Sequence, residues 1–227
     1  MPSFDILKNI EVEKSFRVAS VMGMFDLQSN KIQEHFIGEI PIENENWQIG
    51  VIYGNSGTGK TLISKELFNK SYVTRFTYKN KSIVDDIPKD KSIKEICKVF
   101  NSVGFSSPPS WLKPYSVLST GEKMRVDLAR ALLSKKKLIV FDEFTSVVDR
   151  NVAKIGSAAI SKAIRRSNKQ FIAVSCHKDI IEWLEPDWVF DTNVMQFIKK
   201  NGKDPKLNWK SLNVQGSIGK CLGNITI

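Results

Sequence analysis

Residues 54 to 61 read Gly-Asn-Ser-Gly-Thr-Gly-Lys-Thr, directly after the apolar run 49–53 and directly before a helical pattern. That spacing, G-x-x-x-x-G-K-[ST] between a buried strand and a helix, is the form of a loop that cradles phosphates. Glycines at 54, 57 and 59 let the backbone turn tightly, so that N–H groups of the whole stretch, Asn55, Ser56 and Thr58 included, approach anionic oxygens closely. The helix expected from about Gly59 adds the positive end of its dipole. Lys60 is placed to reach the outer phosphates, and the Thr61 hydroxyl to ligate Mg²⁺. The ligand this pattern fits is a nucleoside triphosphate.

A chain of 227 residues suits one domain with a small insertion, and 41% hydrophobic against 26% charged residues is enough for an ordinary core. No run approaches the roughly 18 apolar residues of a membrane span, and the first nine residues lack a basic-then-apolar leader. Cys97, Cys176 and Cys221 form no Cys-x-x-Cys pair, which suits free thiols in a reducing cytoplasm. His35 and His177, the two histidines, are too few for a histidine-based metal cage. The net charge is +10, and 199–227 alone holds six lysines against one aspartate. Lys162, Arg165, Arg166 and Lys169 form a second basic group. Such a field favours polyanions, nucleic acid first, or serves as a solubilising surface.

Strand and helix patterns alternate along the chain. Ser15–Met22 and Phe36–Ile40 alternate apolar and polar residues, as antiparallel strands do. The continuous apolar runs at 49–53, 138–141 and 171–174 fit strands covered on both faces, with 188–190 a fourth. Met124, Leu128, Ala131 and Leu132 mark one amphipathic helix, and Val152, Ile155, Ala159 and Ala163 another. The lysine-rich segment 79–117, closed by Pro108, Pro109 and Pro114, reads as an inserted, partly helical subdomain with a helix over 92–103. These patterns predict an α/β fold: a mostly parallel core sheet, an antiparallel β unit at the N-terminal side, and a short helical insertion.

Two further motifs follow. Leu138-Ile-Val-Phe-Asp-Glu143 ends a buried strand in two carboxylates at the edge where open α/β sheets bind ligands. Asp142 is placed to hold Mg²⁺ beside Thr61, and Glu143, one residue on, to polarise an attacking water. In Leu118-Ser-Thr-Gly-Glu122, Ser119 and Glu122 form an S-x-x-E capping box, starting a helix whose N-terminus favours an anion. Gly121 in its first turn costs helix stability, which points to a close approach to its backbone.

Together these residues resemble the ATP-binding-cassette (ABC) ATPases, P-loop NTPases by fold. Gly54–Thr61 looks like their Walker A motif, Leu138–Glu143 like Walker B, and Leu118–Glu122 like the signature motif with Thr120 for its glycine. Ser146-Val-Val-Asp149 is similar to the D-loop, and His177 stands where the family has its switch histidine. Order and spacing agree from Ser15 to about Asp191, within an ATPase domain over 1–198. The resemblance implies a head-to-tail homodimer closing on ATP and Mg²⁺. Ser119, Gly121, Glu122 and Asp149 would act across the interface, Glu143 would activate water, and His177 would hold the γ-phosphate. For the aromatic that stacks on adenine, Phe25 is chosen over Phe36, which reads as a core strand residue. The absence of an Asn-Lys-x-Asp guanine motif favours adenine.

The departures from the family pattern are specific. No glutamine lies between Thr61 and the signature; after a short strand expected at 82–84, Asp85 or Asp86 takes its place, with Asp86 a further metal candidate. Phe144 replaces the proline that usually follows the catalytic glutamate. Asp142-Glu-Phe with Val148-Asp-Arg, and His177-Lys-Asp with Glu185-Pro-Asp-Trp, look closer to small soluble ABC ATPases associated with GNAT-type acetyltransferases. The expectation is an ATP-hydrolysing ABC-type engine acting on a nucleic-acid or protein partner, a separate acetyltransferase among them. The alternatives are the nucleotide-binding subunit of a membrane transporter and an ATP-dependent switch with negligible turnover.

Overall fold

The computed structural model describes residues 2–11, 15–26, 31–43, 45–73, 76–79 and 81–200. Most of the expected basic tail, with Cys221, lies outside them. Strand β1 (Ser3–Glu11) and strand β2 (Lys31–Glu39) pair antiparallel, with Phe4 opposite Gly38 and Lys8 opposite Glu34. Between them in sequence runs helix α1 (Phe16–Met24). This corrects the strand expected over Ser15–Met22. The Ser15 hydroxyl accepts the Val18 N–H at 3.2 Å and starts a helix, and no residue of that helix is buried. Local capping therefore outweighs an alternation that has no sheet to pair with.

The main sheet begins with β3 (Ile49–Tyr53), which feeds the glycine loop and α2 (Lys60–Phe68), then the two-residue β4 (Tyr72–Val73). The insertion supplies α3 (Ile83–Asp86), α4 (Ile93–Ser102) and α5 (Pro108–Trp111). α3 corrects the strand expected at 82–84. Ser82 caps it, Asp85 and Asp86 fill its first turn, and Pro88 follows the Ile87 C-cap. α4 lies within the predicted helix and carries a complete Ser92–Glu95 capping box. Then follow α6 (Thr120–Leu133), β5 (Leu138–Phe141), α7 (Arg150–Arg165), β6 (Gln170–Ser175), α8 (Asp179–Leu184), β7 (Trp188–Asp191) and β8 (Gln196–Lys199).

The strands order β4-β5-β6-β3-β7-β8, all neighbours parallel except β7 with β8. The fold is thus a P-loop NTPase fold: a mostly parallel sheet, a separate antiparallel pair, and a short helical insertion. The apolar strands are continuous because both faces are covered. On one face Ile49, Val51, Ile139, Phe171, Ala173 and Val189 join residues of α4, α6, α7 and α8. On the other, Ile52, Val140, Ile172, Val174 and Phe190 meet Phe4 and Phe36 of the β pair and Ile63 and Phe68 of α2. The sheet's period of two sorts alternate residues into two cores. It leaves the C-terminal ends of β3, β5 and β6 gathered at one edge.

Candidate functional site

At that edge lies a cavity of about 500 Å³, within the range of small-molecule sites. Its floor is the glycine loop (Ser56, Gly57, Gly59, Lys60), and Thr61 and Lys65 of α2 continue it. Asp142, Glu143 and Ser146 close one side; Ser175 and Cys176, following β6, close another. Lys8, Glu34 and Phe36 of the β pair form the remaining wall.

The loop is stapled from two directions. The Thr58 hydroxyl reaches the Asn55 carbonyl at 2.9 Å and the Thr192 hydroxyl at 2.6 Å, while Asn193 Oδ1 accepts the Asn55 N–H at 2.9 Å. Thr192 returns to the Tyr53 carbonyl through its N–H, and Asp191 Oδ1 holds Asn193. Sequence reasoning does not reach this Asp191-Thr192-Asn193 bracket. It follows a short strand and carries no motif; its polar residues just past an apolar run are the sole signal. Gly59 has φ of 79°, and a Cβ there would stand 2.8 Å from the Phe36 ring. The loop's conformation and the hairpin's aromatic residue therefore fix each other.

Lys60 Nζ donates to the Asn55 carbonyl and lines the cavity. Burial lowers its pKa, with Cys176 and Asp142 opposing. Thr61 Oγ1 donates to Asp142 Oδ2 at 2.9 Å, and the Tyr72 hydroxyl donates to the same oxygen. Burial first, then Asp142, pushes the Tyr72 phenol far up, so it stays a donor. Asp142 Oδ1 accepts the Glu143 N–H at 2.9 Å. A hydroxyl and a carboxylate side by side at the cavity wall are hard oxygen donors, and they suit Mg²⁺.

Glu143 and Thr145 adopt left-handed backbone, φ 50° and 66°. Each such residue costs about 1–2 kcal/mol. Phe144 between them holds the turn. It is fully buried, its ring meets Phe141 and Phe171 edge-to-face, and its N–H bonds the Val174 carbonyl at 2.9 Å. Phe144 is thus a core anchor, and Glu143 remains exposed at the rim.

Other sequence candidates stand apart from this cavity. The Ser119–Glu122 capping box forms: Glu122 Oε2 accepts the Ser119 N–H at 2.9 Å and its Oε1 accepts the Ser110 hydroxyl at 2.8 Å. Those bonds, Ser110 first, hold the Glu122 carboxyl below its usual range. Gly121 does meet a close neighbour, the Val152 side chain of α7, within its own chain. Asp149 caps α7 through the Asn151 and Val152 N–H groups. His177 adjoins the cavity-lining Cys176, and its N–H bonds the Ser175 hydroxyl at 3.1 Å. Asp86 does not line the cavity; its carboxylate accepts the Lys79 N–H at 3.0 Å. Phe25, the C-cap of α1, is 70% exposed and also absent from the wall, whereas Phe36 is both core and wall. Part of the second basic group is committed to the fold. Arg165 grips Asp187 at 2.7 Å and the Glu185 carbonyl, and Lys169 holds the Ser134 and Lys136 carbonyls.

A buried strand, a glycine-lysine loop at a helix start and a carboxylate on the neighbouring strand's end define a P-loop NTPase. The NB-ARC domain model matches residues 26–174, well over half of the sequence and inclusive of that whole constellation. The chain belongs to the NB-ARC domain family. Among curated proteins it is similar to the ABC multidrug transporter atrD of Emericella nidulans, 35% identical over 115 residues. It is also similar to the ABC-type transporter MDR1 of Aureobasidium melanogenum, 33% identical over 111 residues. These matches cover 48% and 46% of the chain and 8% of each relative, so the chain spans a small part of their length. Among solved structures, an ABC transporter of the metal-chelate type in an inward-facing conformation aligns at TM-score 0.54 and 16% identity, over 87% of this chain and 84% of that one. A bacterial Atm1-family ABC exporter with ATP bound aligns at TM-score 0.51 and 17% identity, over 63% of this chain and 32% of that one. Identities this low speak to the fold alone. The family and the relatives agree on an ATP-binding P-loop domain, with support for the ABC type. Among the described residues, no helix is long and apolar enough to cross a membrane.

Proposed function

We propose that the chain binds and hydrolyses ATP as a nucleotide-binding domain of the ABC type, closing head-to-tail on a second copy. We further propose that it drives a membrane-embedded transport partner from the cytoplasmic side. The observation that carries the reading is the cavity on which the glycine loop, Lys60, Thr61, Asp142 and Glu143 converge. Lys60 neutralises the outer phosphates, and the loop's N–H groups orient them. Mg²⁺, held by Thr61 and Asp142, would offset charge on the phosphate oxygens. Glu143 orients an attacking water and accepts its proton, and its exposed, strained turn leaves that carboxylate unobstructed. His177 steadies the γ-phosphate.

The capped N-terminus of α6, with Ser119, Gly121 and Glu122, and Asp149 on its turn, serve the second copy's nucleotide rather than their own. Their absence from this chain's cavity wall supports that division. The transport role is supported by the relatives, which are ABC transporters.

A second reading keeps the same engine but couples it to a soluble partner: a GNAT-type acetyltransferase on a separate chain, or nucleic acid. The missing glutamine between Thr61 and Ser119 and the net charge of +10 favour it. Co-purification with a multi-span membrane protein supports the first. A polyanion affinity falling steeply with salt supports the second.

The test of the engine itself is Glu143→Gln in size-exclusion chromatography with ATP and Mg²⁺. The variant is expected to run as a dimer with ATP and as a monomer without it, and the wild type to release phosphate continuously. A variant that stays monomeric at saturating ATP, beside a wild type without turnover, sinks the proposal.

A further inference from the structure

The Tyr72 hydroxyl sits on the metal-binding carboxylate, and no motif accounts for it. β4 is the edge strand of the sheet, pairing Tyr72 with Val140 and Val73 with Phe141. The Asp142 N–H then bonds back to the Val73 carbonyl at 3.4 Å, so the strand and the carboxylate are joined through the backbone as well. The Tyr72 ring packs against the core formed with α2, and the Lys65 ammonium stands 5.4 Å from its centroid. A ring held by core packing and by an ammonium delivers its hydroxyl to one place.

That place is Asp142 Oδ2, already the acceptor for Thr61. With Glu143 N–H on Oδ1, three donors fix one carboxylate. The consequence falls on Thr61. With its proton on Asp142, the Thr61 oxygen keeps lone pairs for other partners, and Thr61 lines the cavity where a cation's oxygen ligand is needed. Were the carboxylate free to rotate, that commitment would be lost. Partners of this kind orient metal ligands without touching the metal.

We propose that Tyr72 is a positioning residue of the divalent-metal site, locking Asp142 so that Thr61 presents its oxygen to the cation of a bound metal–nucleotide. The inference rests on the ATP-site reading above. The chemistry it serves is a hard divalent cation bound together with a nucleotide's phosphates.

The experiment is titration of Mn²⁺, followed by its electron paramagnetic resonance signal, into wild type and Tyr72→Phe, each saturated with ATP. ATP affinity in EDTA is measured alongside. The half-saturating Mn²⁺ concentration is expected to rise about tenfold, the low end of what such partners contribute. ATP affinity in EDTA should stay within about twofold, because the phenyl ring and the glycine loop are unchanged. A variant that binds Mn²⁺ as tightly as wild type overturns the role of Tyr72 while leaving the ATP site standing. A wild type that binds no Mn²⁺ with ATP overturns the site itself, and Tyr72's part in it. A Tyr72→Phe protein that fails to fold assigns the hydroxyl to stability instead and equally overturns the proposal.

Discussion

Tyr78 and Tyr115 stack face to face, their ring centroids 4.0 Å apart and their planes 5° from parallel. One precedes the helices of the insertion in sequence and the other follows them, so the stack closes the insertion at its base. Both hydroxyls donate to the Asp127 carboxylate on α6, at 2.6 and 2.8 Å. Arg130, a turn further along, covers Tyr78 and Phe76 from 4.7 and 4.9 Å. Burial first, then Asp127, pushes the Tyr78 phenol far up, so this hydroxyl remains a donor throughout the physiological range. The insertion is thereby tied to the helix that Ser119 caps.

Asp127→Ala leaves two half-buried phenols without this acceptor. At about 1–3 kcal/mol for each orphaned donor, the loss should be about 2–4 kcal/mol after relaxation. Urea unfolding measures it. Tyr78→Phe and Tyr115→Phe, alone and combined, should show a coupling of at least about 0.5 kcal/mol, because they share one acceptor. Strict additivity of the pair would mean that the stack and the carboxylate do not act as one unit.

Two glycines of the loop separate conformation from contact. Gly57 has φ of 85° with open space where a Cβ would sit; Gly59 has φ of 79° with the Phe36 ring 2.8 Å away. Alanine at either position meets backbone strain of about 1–2 kcal/mol. At Gly59 it must also displace Phe36, a residue of both the core and the cavity wall. Gly59→Ala is therefore expected to weaken ATP binding by at least about tenfold more than Gly57→Ala, a difference of about 1.4 kcal/mol. Titration with a fluorescent ATP analogue reads this directly. Equal losses at the two positions would show that Phe36 gives way without consequence.

The parallel sheet was legible because β3, β5, β6 and β7 are continuous apolar runs, and burial on both faces leaves a chain little alternative. The glycine loop and the Asp142-Glu143 strand end were legible because phosphate chemistry restricts those positions to few residue types. The capping box at Ser119 is local, and three-residue spacing encodes it fully. What stayed hidden is what tertiary contact decides. Ser15–Met22 alternates like a strand, yet Ser15 caps a helix. Asp191-Thr192-Asn193 braces the loop from some 138 residues away in sequence, and no local pattern announces such a partner. Phe25, the C-cap of α1, does not line the cavity, whereas Phe36 reaches it from the strand opposite β1. Tyr72 looks like any strand tyrosine until its hydroxyl is found on Asp142.

Asp187 joins the start of β3 to the end of α7. Its Oδ2 accepts the Gln48 and Ile49 N–H groups at 2.7 and 2.9 Å and Arg165 at 2.7 Å. Burial alone pushes this carboxyl up, but Arg165 and the two backbone donors outweigh it, and the net pKa is lowered. A carboxyl whose pKa falls on folding contributes stability at pH above its unfolded value, about 3.9. That contribution disappears as pH drops through the lower folded value, because the folded state must then take up the proton. Asp187→Asn is therefore expected to lose about 1–3 kcal/mol at pH 7, with one charged acceptor for three donors gone. The gap from wild type should narrow steadily below about pH 4. Urea midpoints at pH 7 and at about pH 3 provide the comparison. A gap that persists undiminished in acid would mean that Asp187 holds the strand by shape and not by charge.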